Sequence, residues 1–247
     1  MDTPAKIKAF EEAIRTMFEE ISPRYDLLNL VLTLGRDNFW RDALSRRLLA
    51  LDPYGEFLDL ATGTGRQLIS IAKYHPKAKL VGLDFSAPML KVAEDLIKKT
   101  SQANSGDRQP VLILGDAMNP GLGHNRFDSV SISFGLRNIA DRRYFYHQVY
   151  DTLKPGGRFL ILELFFDPRP WWSGLYKRLL LTAVPYLASV VFGSSHSAYS
   201  YLGRSIVNFP DPGRLIDELS EAGFTEMGFR VYTFGAVMLL WAHKPVA

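Results

Sequence analysis

Glycines and acids stand where apolar runs of this chain end, a pattern typical of nucleoside-binding sites. The stretch "LDLATGTG" (58–65) places Gly63 and Gly65 where an apolar run meets the start of a helix. Glycine in such a turn permits a positive φ and lets a ligand approach the backbone. Asp84 ends the next apolar run, "KLVGLD" (79–84). A carboxylate there accepts hydrogen bonds from both ribose hydroxyls of an adenosine-type ligand, so the pair predicts a nucleoside cofactor.

The residues after the turn favour one such cofactor over another. A dinucleotide site has a third glycine, which brings the helix N-terminus against the pyrophosphate. Here Arg66, Gln67 and Leu68 follow Gly65, so that glycine is missing. Asp116, in "GDAMN" (115–119), ends a third apolar run and could accept from the exocyclic amino group of adenine. Two acids without a phosphate cradle suit S-adenosylmethionine, which carries adenosine and an amino acid but no phosphate. An NAD-dependent enzyme is the alternative, which titration with each cofactor would decide.

A second unusual stretch, "SFGLRN" (133–138), follows the apolar run "FDSVSI". A glycine, an arginine and an asparagine at the end of a buried strand fit a site better than a core, because strand ends of an open α/β sheet form the ligand crevice. Arg137 there can polarise a phenolic oxygen, and the alternative is an arginine that only pairs with an acid. The five histidines show no metal-ligand spacing, and His196 is either a base or a loop residue.

The elements that must position these groups alternate between strand and helix. Near-continuously apolar strands alternating with helices predict a doubly wound α/β sheet, mostly parallel and covered by helices on both faces. The two closing strands have no room for a helix between them, so they should pair antiparallel at the end of the sheet. The predicted strands are 56–61, 79–84, 110–115, 126–133, 158–165, 224–232 and 236–244, and the predicted helices are 4–20, 25–50, 66–74, 86–99, 142–154 (ended by "PGG") and 211–222.

We interpret the 247 residues as one domain with four parts. These are an N-terminal helical cap (1–50), a cofactor-binding core (56–165), a helical insertion (171–209) and a C-terminal helix with a strand pair (211–247). The insertion holds the most apolar stretch, "LLLTAVPYLASVVFG", which is too short to span a bilayer. It is either a core helix or a surface for a lid or a substrate tail.

Composition excludes several classes of protein. Hydrophobic residues are 47% and charged residues 22% of the chain, as in an ordinary globular protein. The net charge of +3 comes without any block of like charge, so we expect no nucleic-acid partner. The absence of cysteine excludes disulfides, cysteine-ligated zinc and a cysteine nucleophile. The amphipathic, acidic N-terminus shows no secretory signal, so we expect a cytoplasmic protein.

Taken together, these motifs resemble the UbiE/COQ5 family of S-adenosylmethionine-dependent quinone C-methyltransferases. The glycine turn and "LKPGG" are shared by many class I methyltransferases, whereas "SFGLRN" combined with "YSYLGRSI" is much more specific. The motifs that carry the resemblance are "YDLLN" (25–29), "LDLATGTG" (58–65), "LDFSAPML" (83–90), "ISFGLRN" (132–138), "LKPGGRFLILE" (153–163), "YSYLGRSI" (199–206) and "AGF" (222–224).

The resemblance implies a class I methyltransferase (Rossmann-like) fold, S-adenosyl-L-methionine as the cofactor and no metal. It also implies a role for each matching residue. The cofactor would be held by Asp59, Gly63, Thr64, Gly65, Asp84, Asp116, Ala117 and Ser133. The acceptor would contact Phe134, Gly135, Tyr199 and Tyr201, and the catalytic residues would be Arg137, Asn138 and Tyr25.

The implied reaction moves the sulfonium methyl to a ring carbon of a polyprenylated quinol of menaquinone or ubiquinone biosynthesis. Demethylmenaquinol is the acceptor that we expect. Arg137 would stabilise the phenolate, Asn138 would orient the hydroxyl, and a bound water would take the proton. One alternative is a methyltransferase of the same fold for another lipid or a small aromatic acceptor. Another is a non-catalytic assembly subunit of a quinone-synthesis complex, which failure to bind cofactor would favour.

An isoprenoid tail would explain the insertion, because its apolar surface carries aromatics and the basic pair Lys177 and Arg178. We expect the apolar face of 171–192 to be partly exposed, with Leu180 and Leu187 pointing outward. The protein would then make peripheral contact with the inner face of a membrane. A homodimer is a further expectation.

The chain departs from the family pattern on the acceptor side. Leu30 follows Asn29 where an acid is usual, and Asp37 and Asn38 stand where a His-Arg pair usually precedes the tryptophan. Arg204 lies in "YLGRSI" where an acid would be unsurprising, and Leu240 replaces a usual histidine of the last strand. All of these positions lie outside the cofactor motifs, so they bear on the choice of acceptor rather than on methyl transfer.

Overall fold

The structure is a computed structural model that describes residues 35–48, 51–103, 109–183 and 196–246, together with Glu12, Ile14, Thr33 and Tyr186. Side chains are not described at 101–103, 183, 196–200 and 202. The predicted helix 4–20, Tyr25 and Leu187 therefore lie outside the described residues or are described only at isolated positions.

Strands and helices alternate through the described core. The strands are β1 (Glu56–Leu60), β2 (Lys79–Asp84), β3 (Val111–Leu114), β4 (Phe127–Ser133), β5 (Leu153–Leu164), β6 (Thr225–Tyr232) and β7 (Val237–His243). The helices are α1 (Asp37–Arg47), α2 (Arg66–Tyr74), α3 (Ala87–Ala103), α4 (Arg142–Thr152), α5 (Ser173–Arg178, continued by a wider turn over Leu179–Ala183), α6 (His196–Asn208) and α7 (Pro212–Glu221). The order matches the predicted α/β alternation.

The seven strands form one sheet in the order β3-β2-β1-β4-β5-β7-β6. Strands β1 to β5 are parallel, while β7 pairs antiparallel with both β5 and β6. The predicted mostly parallel sheet with an antiparallel strand pair at its end is confirmed. The reversal of strand order beside β1 brings the carboxyl ends of β1 and β4 together, which is where such sheets bind ligands.

Burial on both faces explains why the central strands read as continuous apolar runs. One face packs against α4 and α7 through residues such as Phe145, Phe159 and Leu215, and the other packs against α1 and α2 through residues such as Trp40, Leu44 and Leu68. All of these side chains are buried. The sheet is therefore a rigid platform for whatever its strand ends carry.

The sequence predicted that the "PGG" segment ends a helix, and this prediction is wrong. Helix α4 ends at Thr152, and β5 begins directly at Leu153, five residues before the predicted strand. Gly156, with φ 76°, donates its N–H to the carbonyl of Lys244, and Lys244 donates its own N–H to the carbonyl of Gly157. The glycines therefore continue the sheet by pairing with the chain after β7, a long-range contact that local turn propensity cannot reveal.

Leu240 does not lie on the acceptor side. It is fully buried on β7, between Ile161 of β5 and Phe229 of β6. Its side chain belongs to the core cluster on the face that packs against α4 and α7. This departure from the family pattern is therefore a packing residue. In the described part of the chain, no helix is both long and apolar enough to cross a membrane.

Candidate active site

The turn after β1 has the left-handed backbone that its glycines predicted. Ala61, Gly63 and Gly65 have φ values of 50°, 56° and 75°. A Cβ on Gly65 would approach the Cβ of Ala93 on α3 to 3.0 Å, so glycine is required for close packing of two helices. A Cβ on Gly63 would meet nothing within 4 Å. Gly63 therefore borders open space into which a ligand can come close to the backbone.

Asp59 supports this turn through hydrogen bonds and does not line the cofactor cavity described below. Its side chain is buried, and its two carboxylate oxygens accept hydrogen bonds from Thr62 Oγ1 at 2.8 Å and Ser131 Oγ at 2.6 Å. Burial raises the pKa of Asp59 to about 6, although the two hydroxyls counteract the shift. Because Asp59 does not line that cavity, we interpret it as a residue that positions the turn rather than one that contacts the cofactor.

The raised pKa of Asp59 makes a specific pH dependence of stability expected. The folded state holds the Asp59 proton more tightly than the unfolded state does. The protonated carboxyl therefore adds to the free energy of unfolding below the unfolded pKa near 3.8, and this added stability is lost as pH rises through about 6. The loss is about 3 kcal/mol of unfolding free energy. Asp59→Asn keeps a partner for both hydroxyls and should lack this dependence. Denaturant unfolding of both proteins from pH 4 to 8 measures the difference, and parallel profiles would contradict the assignment.

Asp84 closes the turn from the neighbouring strand. Its Oδ2 accepts from the Gly63 N–H at 2.7 Å, and its Oδ1 accepts from the Ser86 N–H at 2.9 Å. Burial raises the pKa of Asp84, while the backbone donors at Ser86, Gly63 and Phe85 counteract the shift. Each carboxylate oxygen can accept more than one hydrogen bond, so Asp84 holds the turn and can still accept from a diol in the cavity beside it.

A first cavity lies directly against this turn. Five of the predicted cofactor residues line it, and Asp59, Thr64 and Gly65 do not. Its wall consists of Ile14, Ala61, Gly63, Asp84, Phe85, Met89, Asp116, Ala117, Met118, Ser133, Phe134, Gly135, Asn138, Ile139 and Ala140. The acids Asp84 and Asp116 line the cavity together with the apolar side chains of Met89 and Met118, a combination that suits a nucleoside with a polar diol and an apolar base face.

The residues at the end of β4 and after it form a further part of the wall of this cavity. A Cβ on Gly135 would lie 2.9 Å from the Cβ of Ala61, so the close passage of the β1 turn requires glycine there. Ser133 donates from Oγ to Gln67 Oε1 at 3.0 Å, and Gln67 is fully buried. Phe134 is held at a φ of 60°, a strained conformation for a non-glycine residue. Such strain is typical of functional positions.

A second cavity of about 610 Å³ opens on the other side of Phe134, which lines both cavities. Its wall is mainly apolar and combines α1, the first helix of the insertion and the turn after β6. The lining residues are Thr33, Arg36, Asp37, Trp40, Phe134, Arg137, Leu164, Trp171, Trp172, Tyr176, Leu179, Leu180, Gly203, Ile206, Thr233, Phe234 and Ala236. The two cavities therefore meet at the residues that "SFGLRN" contributes.

Arg137 is not an isolated cation at the cavity wall. Its Nη1 lies 2.6 Å from Glu163 Oε1 and also donates to the Phe134 carbonyl, and its backbone N–H donates to Glu163 Oε2. The side chains of Arg137 and Glu163 are 5% and 0% exposed. The alternative raised from the sequence, pairing with an acid, is thus present in a buried form. Glu163 fixes the guanidinium and balances its charge.

Asn138 is oriented by Tyr201. Burial raises the pKa of Tyr201 to about 12, with Glu163 raising it further and Arg137 opposing the shift. The hydroxyl is therefore protonated at neutral pH and donates to Asn138 Oδ1 at 3.1 Å. Asn138 lines the first cavity, where its amide NH₂ can donate to a bound group. Tyr201 acts through Asn138, whereas the side chains of Tyr199 and His196 are not described.

An ion cluster beside the second cavity was missed by the sequence analysis. Asp37 is 1% exposed, and its Oδ2 lies 2.9 Å from Arg66 Nη1 and 3.7 Å from Arg41 Nε. The Arg41 guanidinium lies 5.0 Å from the centre of the Phe134 ring. Arg66, the first residue of α2, therefore ties α1 to the cofactor turn that precedes it. Asn38 and Arg204 are exposed, and Leu30 lies outside the described residues. Among the departures that the structure describes, Asp37 is therefore the one that lines the second cavity.

Glu163 also escaped the sequence analysis, although it carried a signal. It is an acid near the carboxyl end of the otherwise apolar strand "RFLILEL", next to the strand end that carries Arg137. An isolated acid in a buried strand needs a partner, and a neighbouring arginine is the expected one. Among the described residues, no group of three or more histidine, aspartate or glutamate side chains is placed to hold a metal ion.

The chain is similar to known proteins over almost its whole length. The model of the ubiE/COQ5 methyltransferase family matches residues 6–244. The demethylmenaquinone methyltransferase of Corynebacterium kroppenstedtii is 36% identical over 232 residues, which are 94% of each chain. The enzyme of the same name from Mycobacterium tuberculosis is 35% identical over 94% of this chain and 92% of its own.

Solved structures share the fold at lower sequence identity. A SAM-dependent methyltransferase of Thermotoga maritima is 18% identical, with a TM-score of 0.60 over 93% of this chain and 99% of its own. A phosphoethanolamine N-methyltransferase of Haemonchus contortus, solved with S-adenosyl-L-methionine, is 16% identical, with a TM-score of 0.62 over 83% of this chain and 52% of its own. These similarities place the sheet among class I methyltransferase folds.

Proposed function

The chain belongs to the ubiE/COQ5 methyltransferase family, and from this we propose that it transfers the methyl group of S-adenosylmethionine to a ring carbon of a polyprenylated quinol, with demethylmenaquinol as the acceptor. The names of the relatives support the acceptor. The observation that carries the proposal is the meeting of two cavities at Phe134, one lined by Asp84 and Asp116 among apolar residues and the other large and mainly apolar.

The first cavity suits S-adenosylmethionine. Asp84 can accept from the ribose hydroxyls, Asp116 and Ala117 can flank the adenine, and the space beside Gly63 admits the ligand next to the backbone. When bound, the cofactor supplies an electrophilic methyl group on a sulfonium. Phe134 lines both cavities, so the wall formed by Ser133, Phe134 and Gly135 is then the side from which an acceptor ring approaches.

The acceptor must be the reduced quinol. Loss of a hydroxyl proton places electron density on the neighbouring ring carbon, whereas a quinone ring is electrophilic. That carbon forms the new bond to the methyl group as the carbon–sulfur bond breaks, and the ring proton is then lost to restore aromaticity. Holding the ring in line with the methyl contributes roughly 7–11 kcal/mol to lowering the barrier. The protein therefore acts chiefly by orientation and by stabilising the phenolate.

Two residues of "SFGLRN" can stabilise the phenolate. The Asn138 NH₂, whose orientation is fixed by Tyr201, can donate to the ring oxygen from the first cavity. The Arg137 guanidinium, fixed by Glu163, lines the second cavity and presents N–H groups in a dry environment where such donors are most effective. A bound water is the proton acceptor in this proposal, and Tyr25 is a second ring contact.

The second cavity suits an isoprenoid tail because its wall is apolar. The expectation that Leu180 points outward is corrected, since it is 7% exposed and lines this cavity. Leu180→Phe should narrow the cavity. We expect at least a roughly 10-fold loss of kcat/KM on a long-tailed quinol and little change on a short-tailed analogue, because one misplaced aromatic in a packed apolar site costs about 1–3 kcal/mol.

Leu180→Met is the matched control for this prediction, because it conserves side-chain volume and should leave both activities intact. Steady-state assays with the two acceptors and a thermal melt of each variant provide the measurement. An equal loss on both acceptors together with a lower melting temperature would show that Leu180 only packs the insertion.

The proposed function is tested by mass spectrometry of the quinones of a cell that lacks this gene. We expect demethylmenaquinone to accumulate at the expense of menaquinone, and a gene copy carrying Arg137→Ala to fail in restoring the product. An unchanged quinone profile would favour another lipid or a small aromatic acceptor. Purified protein that does not bind S-adenosylmethionine would favour a non-catalytic assembly subunit.

The chemistry of the proposed acceptor indicates where in the cell the protein acts. A polyprenylated quinol is dissolved in a bilayer, so we propose that the protein works at the inner face of a membrane as a peripheral enzyme. The homodimer expected from the sequence stays a prediction for a measurement of mass in solution.

A further inference from the structure

Large apolar side chains surround the opening of the second cavity and face outward. Trp171, Leu179 and Phe234 all line that cavity, yet they are 95%, 48% and 82% exposed. Leu175, between the first two in sequence, is 75% exposed. Two segments distant in the chain, 171–179 and the turn after β6, thus place apolar groups around one opening. A water-exposed surface gains nothing from such a concentration of apolar groups.

The turn after β6 holds its phenylalanine outward at the expense of backbone strain. Thr233 and Phe234 have φ values of 52° and 55°, in the left-handed region that β-branched and bulky residues avoid. Trp40 Nε1 donates to Thr233 Oγ1 at 3.1 Å, which anchors the turn to α1. The Phe234 side chain itself remains in solvent. A strained turn that is anchored at one residue and presents an aromatic ring at the next indicates a function for that ring.

Cations accompany the apolar groups. Lys177 and Arg178 are exposed on the same short helix that carries Leu175, and Arg36 is exposed at the cavity wall. Trp171, Leu175 and Leu179 lie four residues apart along this segment, and the basic pair lies between the last two in sequence. Tryptophan and phenylalanine at the tips with lysine and arginine beside them match the chemistry of an anionic lipid surface.

We propose that the mouth surface, defined as Trp171, Leu175, Leu179 and Phe234 with Lys177 and Arg178, docks on an anionic lipid bilayer. Phe234 and Trp171 enter the headgroup region, and the basic pair contacts lipid phosphates. The opening of the second cavity then faces the bilayer, so that a tailed acceptor passes from lipid into the cavity without crossing water. The proposal rests on the proposed function for its purpose, but the docking surface stands on the exposure, strain and charge described above.

Vesicle co-sedimentation of the full chain tests the proposal. Trp171→Ser/Phe234→Asn removes both aromatic tips, and asparagine tolerates the left-handed backbone at 234. On vesicles of phosphatidylcholine and phosphatidylglycerol we expect this variant to partition at least roughly 10-fold more weakly than the unaltered protein. Tyr54→Ser is the matched control, because Tyr54 is 59% exposed just before β1, at the amino-terminal ends of the parallel strands and so on the side away from the cavities. It should bind vesicles normally.

Lys177→Gln/Arg178→Gln should separate the charge contribution from the apolar one. We expect this variant to lose the preference for anionic vesicles over pure phosphatidylcholine. Equal partitioning of the unaltered protein and the Trp171/Phe234 variant would overturn the proposal. So would a dimer in solution that the same two substitutions dissociate, because the mouth surface would then be covered by a second copy of the chain.

The vesicle measurement uses no acceptor and no cofactor, so its failure is distinguishable from failure of the proposed function. Normal vesicle binding without methyl transfer to a demethylmenaquinol would support the docking surface and contradict the proposal that a quinol is the acceptor. Methyl transfer to a short-tailed acceptor by a protein that does not bind vesicles would support the quinol acceptor and contradict the docking surface. Thermal melts of each variant check that the fold is retained.

Discussion

Arg137→Ala is expected to lower kcat roughly 10²- to 10³-fold, the usual loss when one donor to a developing oxyanion is removed. Affinity for S-adenosylmethionine should remain nearly unchanged, because Arg137 lines the second cavity and not the first. The substitution also leaves the fully buried Glu163 without its cation, so about 3–5 kcal/mol of unfolding free energy should be lost. Single-turnover kinetics and cofactor titration at a temperature well below the melt separate these effects.

A second variant prevents the stability loss from hiding the catalytic one. Arg137→Gln/Glu163→Gln replaces the ion pair with two neutral amides that can still hydrogen-bond, so most of the stability should return. Turnover should stay low, since the guanidinium is still missing. If turnover recovers together with stability, Arg137 serves only to satisfy Glu163. If cofactor affinity falls in step with rate, Arg137 belongs to the cofactor site.

Asp84→Ala is expected to abolish measurable binding of S-adenosylmethionine. The variant loses the acceptor of the ribose hydroxyls, and each unmade hydrogen bond to a buried partner costs about 1–3 kcal/mol. It also frees the N–H groups of Gly63 and Ser86, which Asp84 now holds, so the cofactor turn loses its shape. Isothermal titration of the purified variant measures the effect, and a thermal melt shows whether the rest of the domain is folded.

Asp95→Ala is the matched control for this substitution, because Asp95 is an exposed aspartate on α3 whose partner is Lys91. A surface ion pair of this kind contributes little, so cofactor affinity and melting temperature should both be unchanged. Cofactor binding by Asp84→Ala that equals that of Asp95→Ala would reduce Asp84 to a residue that shapes the turn.

The sequence predicted the parts of the fold that depend on local pattern. Apolar runs of five to seven residues gave the central strands, and the acids at 84 and 116 were placed at strand ends because parallel strands share one edge. The boundary at "PGG" was wrong because the glycines are paired with Lys244, almost ninety positions away. Turn propensity describes the local chain, and a partner from the far end of the domain overrides it.

The site was predicted in its residues but not in its contacts. Arg137 was identified as unusual, yet its pairing with Glu163 depends on the register of β4 against β5, which no local pattern fixes. Asp59 lies in a cofactor motif, and only the structure places its oxygens against Thr62 and Ser131. Leu180 was expected outside because helical periodicity cannot tell a cavity-facing side from a solvent-facing one.

The measurement that tests the central claim most directly is transfer of a labelled methyl group by the purified protein. The protein is incubated with S-adenosylmethionine labelled with ¹³C at the methyl group and with demethylmenaquinone kept reduced by borohydride. We predict that mass spectrometry and carbon NMR find the label as a methyl on a ring carbon, with one S-adenosylhomocysteine formed for each methylated quinol. The same acceptor left oxidised should stay unlabelled. Label on oxygen, or S-adenosylmethionine that remains intact while bound beside a reduced acceptor, would contradict the account.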